Sequence, residues 1–141
     1  LKTSGGKGLH IVVPLKRAYD FDTVKDFSQA IVQHLARVVP ERFVAKSGPK
    51  NRIGKIYVDY LRNGFGATTV SAWSPRARPG LGVSVPVAWE ELASLSGGAQ
   101  WTAPTITERL SIGNLPWKGY EAARCSLSGP MKKLGFHADK V

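Results

Sequence analysis

The chain has 141 residues, 43% of them hydrophobic, with 20 lysines and arginines against 10 acids and a formal net charge of +10. That length and apolar content fit a single globular domain over residues 1–141 and exclude a disordered chain. No run reaches the roughly 18 apolar residues of a spanning helix, and the lone Cys125 excludes an internal disulfide, which suits a reducing cytosol.

In chain order, LHIVVPL (9–15) follows a glycine-rich loop and reads as a buried strand, being apolar and rich in β-branched residues. Asp20 and Asp22 precede a 3.6-residue pattern in which Val24, Phe27, Ile31, Leu35 and Val38 share one face. This predicts an amphipathic helix of about 16 residues, capped by Asp22 and stopped before Pro40. After the basic, turn-prone AKSGPKNRIGK, the alternation in IGKIYVDYL predicts a strand, paired as a hairpin with ATTVSAW (67–73) across the turn at RNGFG. GVSVPV reads as another short strand, WEELASL and TITERL as short helices, and SGGAQWTAPT as loop. The mixture points to an α+β fold with a mixed, mainly antiparallel sheet and flanking helices. Most of Trp73, Trp89, Trp101 and Trp117 are expected in the core.

The surplus of positive charge favours a polyanion: nucleic acid, a nucleoside triphosphate or an anionic membrane surface, the last being the least supported. In SGGKGLH (4–10), consecutive glycines free backbone N–H groups for an anion and Lys7 adds charge, although a plain flexible turn has the same letters. His10 enters the strand, where it serves either the anion or the backbone. Asp59, among Tyr, Val and Leu in a strand, needs a partner: a salt bridge to Arg62 or a lysine, or a Mg²⁺ or Mn²⁺ ion. Arg76 and Arg78 in SPRARPG are spaced to fork onto phosphate oxygens. Arg37, Arg42, Lys46, Lys50, Arg52 and Lys55, with Glu41 the one acid among them, form either a nucleic-acid track or a solvated face. The aspartates of DFD (20–22) serve the helix start rather than a metal.

Taken together, TSGGKGLHIVVPL, RIGKIYVDYLRN, GATTVSAWSPRARPG and VSVPVAWEEL, in that order, resemble the primase-like polymerase domain of bacterial non-homologous end-joining ATP-dependent DNA ligases, of the archaeo-eukaryotic primase superfamily. The resemblance covers residues 2–95 and continues more weakly through ITERL and LPWKGY. It implies part of a primase-like polymerase fold, and nucleotidyl transfer to DNA ends with Mg²⁺ or Mn²⁺. It implies triphosphate contacts from Ser4, Lys7, His10, Arg62, Arg76 and Arg78, and a catalytic, metal-binding carboxylate at Asp59. The implied partners are DNA ends, a nucleoside triphosphate, a fused or associated ligase domain and a DNA-end-binding Ku-type protein, in the bacterial cytoplasm at the nucleoid. The family's two further aspartates, in a D-x-D motif, are expected upstream of the glycine loop. The chain is therefore expected to be a C-terminal portion of such a domain, inactive on its own. The competing expectation is a non-catalytic basic domain that docks on nucleic acid through phosphates alone.

Overall fold

The computed structural model describes residues 1–138 and divides the chain into two compact units. Residues 1–14 with 70–124 form unit 1; residues 15–69, with the chain from Cys125 onward, form unit 2. Together they make an α+β structure with two small two-stranded sheets, one antiparallel and one parallel.

Unit 1 is organised around residues 82–87. Val83, Val85 and Val87 are buried with Trp101, and Leu1, Trp73, Leu95 and Ile106 pack against them. The segment pairs through isolated bridges rather than as a continuous strand: Pro75 with Val83, Gly82 with Thr102, and Lys2 with Pro86. Pro86 has no N–H to give to a ladder, which accounts for the interruption. Thr3, fully buried, completes the pairing: its Oγ1 accepts from Val85 N–H at 2.9 Å and donates to the Val83 carbonyl at 3.2 Å. Thr3 belongs to β1 (Lys2–Thr3), which pairs antiparallel with β2 (Leu9–His10).

The expected buried strand over 9–15 is thus reduced to two residues, and Ile11 and Val13 beyond it are exposed. ATTVSAW forms no strand either. Trp73 sits at φ +68°, a left-handed conformation that breaks extension, and its N–H donates to the Ser84 carbonyl. Of the four tryptophans expected mostly in the core, Trp101 alone is buried; Trp73 and Trp117 are half-buried and Trp89 is exposed.

A second fastener is the bidentate pair of Arg109, on α2 (Thr107–Leu110), with Glu91, in the 3₁₀ turn Trp89–Ser94. Its contacts are 2.6 Å (Nη1–Oε1) and 2.8 Å (Nη2–Oε2). The buried guanidinium also lies 4.6 Å over the Trp101 ring, while Glu91 accepts from Ala88 N–H as half of a capping box. The Arg109 bond and the Ala88 N–H hold the Glu91 carboxyl below its ordinary value, against the opposing effect of burial.

In unit 2, α1 (Phe21–Val38) is two residues longer than the sequence pattern suggests. Asp20, not Asp22, is its cap: Oδ1 accepts from Thr23 N–H at 2.7 Å, and Asp22 stands in the first turn. The buried positions are Phe27, whose ring lies 5.2 Å from Phe136, and Val32, while Ile31 and Val38 are exposed. The C-terminal helix, α3 (Ser128–Leu134), ends at Gly135 in the left-handed conformation. No hairpin joins IYVDYL to the next segment. Instead β4 (Ile56–Tyr57) pairs in parallel with β3 (Phe43–Val44), so the sheet content is less antiparallel than expected. Among the described residues, no helix is long and apolar enough to cross a membrane.

Two outcomes follow from these contacts. Replacing Asp20 by Ala should lower stability by about 1 kcal/mol, more than Asp22→Ala, measured by urea unfolding followed through helical circular dichroism. For Glu91, whose folded pKa is depressed, stabilisation is present above its ordinary value of 4.5 and is lost as pH falls through the lower folded value. Unfolding midpoints measured against pH should therefore drop in that acid range for the wild type, and Glu91→Gln should remove that share of the drop.

Candidate functional site

Two loops and one glycine converge in unit 1. Gly5 adopts φ +71°, and its N–H donates to the Gly98 carbonyl at 2.9 Å. A Cβ on Gly5 would stand 2.7 Å from the Gly82 carbonyl oxygen, and one on Gly82 would collide with the Gly5 carbonyl. Gly98 is held equally close to the backbone of Gly8. The glycines at 5, 82 and 98 therefore let three backbone segments touch, which no L side chain at these positions would permit.

Within the loop, Ser4 Oγ accepts from Gly6 N–H at 3.0 Å and from Gly8 N–H at 3.1 Å. The amides of Gly5, Gly6 and Gly8 are thus spent inside the protein, and the expected open nest of N–H groups is not formed. Ser4 is buried and shapes the loop through these bonds. Positive charge comes instead from side chains. Gly6 lies under two guanidinium groups: a Cβ there would be 2.6 Å from Arg78 Nη1 and 3.2 Å from Arg76 Nη1. The Arg76 backbone is tied to the same junction by its N–H to the Gly82 carbonyl at 2.9 Å, and Arg78 N–H donates to the Arg76 carbonyl at 2.8 Å. Lys7 is exposed near the loop tip, and His10 is half-buried on β2 opposite Lys2.

Among the described residues neither guanidinium has a carboxylate partner, and the ion pairs there are Arg109–Glu91 and Arg124–Glu121. Two like charges crowded over one glycine repel each other, and an oxyanion between them would convert that repulsion into two charge-assisted hydrogen bonds. The arrangement is therefore suited to a phosphate group.

Asp59 and Arg62 belong to unit 2. Asp59 is exposed, not half-buried in a strand, and its Oδ1 accepts from Leu61 N–H at 2.8 Å, two residues before the 3₁₀ turn Leu61–Asn63. It makes no salt bridge to Arg62 among the described residues. Arg62 instead lines a cavity of about 270 Å³ with Tyr19, Asp20, Phe21, Val24 and Asn63. No group of three or more His, Cys, Asp or Glu side chains among the described residues could hold a metal ion. A Mg²⁺ ion takes near-octahedral oxygen coordination, so Asp59 with one oxygen already engaged does not make a cation site by itself.

The importance of Gly82 and Gly98 does not emerge from the sequence patterns above. The signal for the second was present in the doubled glycine at 97–98, which repeats the doubled glycine at 5–6.

The family model of the LigD primase-polymerase domain matches residues 1–117. The chain is 58% identical over 135 residues to the multifunctional non-homologous end joining protein LigD of Pseudomonas aeruginosa, covering 94% of this chain and 16% of that protein. It is 31% identical over 117 residues to the bifunctional non-homologous end joining protein LigD of Bacillus subtilis, covering 82% of this chain and 19% of that one. The chain thus spans less than a fifth of either relative. Among solved structures, it matches the polymerase domain of Mycobacterium tuberculosis ligase D in complex with DNA, with a TM-score of 0.66 at 21% identity. That match covers 79% of this chain and 38% of the other and fixes the fold.

The two loop glycines should respond differently to substitution. Gly5→Ala places a methyl against backbone at a positive φ and should cost about 1–3 kcal/mol. Gly6→Ala meets only the movable tips of two arginines and should cost less than about 1 kcal/mol. Equilibrium unfolding of both variants separates the two effects.

Proposed function

The chain belongs to the LigD primase-polymerase family, and from that premise we propose that unit 1 holds the triphosphate of a nucleotide about to be added to a DNA end during break repair. The observation that carries this reading is the pair of guanidinium groups of Arg76 and Arg78 over Gly6, neither of them in an ion pair among the described residues. Arg76 and Arg78 fork onto phosphate oxygens, and Lys7 adds a third cation from the loop tip. Ser4 acts earlier in the chain of causes, by folding the loop so that Gly6 faces the arginines. His10 stands at the loop's exit and is proposed as a further phosphate contact. Asp59 is proposed as the metal-binding carboxylate and Arg62 as a further phosphate contact.

In nucleotidyl transfer, a 3′-hydroxyl attacks the α-phosphorus and pyrophosphate leaves, so negative charge builds on the departing phosphates. Fixed guanidinium groups stabilise that charge without reorganising at the moment of reaction. Asp59 is the carboxylate proposed to face a divalent cation, and the contribution of unit 1 to the step is phosphate binding by side-chain cations. The parent protein is proposed to join DNA ends together with a ligase domain and a Ku-type end-binding partner.

Isothermal titration with ATP tests the cradle. Charge-assisted hydrogen bonds are worth about 1.5–3 kcal/mol each, so Arg76→Ala and Arg78→Ala should each weaken ATP binding by roughly tenfold or more. Lys7→Ala, lacking a fork, should cost less. Unchanged affinity in the Arg76→Ala/Arg78→Ala variant would remove the cradle from the nucleotide site.

A further inference from the structure

One buried guanidinium in unit 1 joins three separate segments. The two Nη atoms of Arg109 take the Glu91 carboxylate at 2.6 and 2.8 Å, and Nη2 also donates to the Pro86 carbonyl at 3.2 Å. The guanidinium carbon lies 4.6 Å over the Trp101 ring. The remaining donor, Nε, is buried without a hydrogen-bond partner among the described residues.

Stability alone does not favour this arrangement. The Arg109 side chain is 6% exposed, and its desolvation is a cost that packed apolar side chains of the same volume avoid. The unmet Nε–H adds to that cost. What apolar side chains cannot do is hold several polar partners in one fixed plane, as a guanidinium fork does.

The segments joined in this way carry the arginine loop. Residues 101–103 run beside 81–83: Val83 N–H donates to the Trp101 carbonyl at 2.9 Å, and Ala103 N–H to the Leu81 carbonyl at 2.9 Å. The same stretch holds both ends of the loop. Pro75 bridges to Val83, Arg76 N–H donates to the Gly82 carbonyl, and Leu81 N–H donates to the Arg78 carbonyl. Arg109 therefore touches the core segment 82–87 at Pro86 and its neighbour at Trp101, and the loop of Arg76 and Arg78 departs from between those contacts. A forked contact to phosphate depends on the geometry of its guanidinium groups, so a slip of 101–103 against 81–83 would reach the cradle.

We propose that Arg109 is a positioning residue of the phosphate site: with Glu91 it locks residues 101–103 against 81–87 and so fixes where Arg76 and Arg78 stand over Gly6. This deepens the triphosphate reading and rests on it for the ligand, although the placement of the two arginines is measurable with no ligand present.

In Arg109→Lys the charge and a bond to Glu91 can persist, but one ammonium cannot span Glu91, Pro86 and Trp101 together. The full chain carrying it should keep a single cooperative unfolding transition. By isothermal titration it should bind ATP more weakly, by roughly fivefold or more. Combined with Arg76→Ala/Arg78→Ala, it should add nothing to the loss those two cause, because the groups it places are gone. In the NMR spectrum of the ligand-free chain, the Nε–H resonances of Arg76 and Arg78 should shift. Glu91→Gln, which leaves the side-chain volume nearly unchanged, carries the same expectations and replaces Arg109→Lys if the latter does not fold. Where Arg76→Ala/Arg78→Ala weakens ATP binding, wild-type affinity in the folded Arg109→Lys chain overturns the proposal. So does a loss that adds in full to that of Arg76→Ala/Arg78→Ala, as a general loosening of the fold would produce. If Arg76→Ala/Arg78→Ala itself leaves ATP affinity unchanged, the triphosphate reading falls. The Nε–H resonances then decide the positioning role alone: shifted, they support it, and unmoved, they overturn it.

Discussion

At Gly5 and Gly82 two stretches of main chain approach so closely that neither has room for a β-carbon. This approach fixes where the glycine loop crosses the core segment 82–87, and Gly98 closes the junction from a third side. The Gly82 carbonyl accepts from Arg76 N–H, so the arginine loop is referenced to the same point. A steric constraint among three glycines thereby sets the position of two charges.

That arrangement divides labour differently from a loop that cradles phosphate with its own amides. Here the amides of Gly5, Gly6 and Gly8 are satisfied by the Gly98 carbonyl and the Ser4 hydroxyl. The loop is rigid because its donors are used, and it acts as a floor rather than as a hand. The positive charge lies instead with Arg76 and Arg78, whose guanidinium groups rest above Gly6 because that residue carries no side chain. Rigid backbone below and forked cations above are the two features on which the proposed triphosphate site rests.

Much of this was legible in the residues. The ends of α1 were marked by aspartates and Pro40, and the glycine loop and the arginine loop stood out by composition. The choice between Asp20 and Asp22 was not legible, because two identical residues two positions apart carry the same capping signal and only the chain path separates them. The strands were over-read for a related reason. Apolar alternation shows what a segment could bury, yet Ile11, Val13 and Ile56 remain exposed. The true partner of β4, Phe43–Val44, is too short to display any period. Asp59 looked like a buried strand carboxylate from its neighbours, but it starts a turn, and Asp at a turn bonds the amide two residues on. Closest of all to invisible was Gly82, since a need for absent atoms appears only when another backbone is seen against it.

The pairing of Thr3 with Val83 and Val85 joins residues 80 and 82 positions apart. Closing so long a stretch carries a conformational entropy cost, and folds built from such distant contacts form slowly. On the ribosome, the glycine loop emerges before residues 15–69 of unit 2 and waits through their synthesis until the segment it folds against exists. The order of translation thus leaves the junction of Gly5, Gly82 and Gly98 unassembled until the chain has passed Gly98, while α1 and the β3–β4 pair already have their local partners to hand.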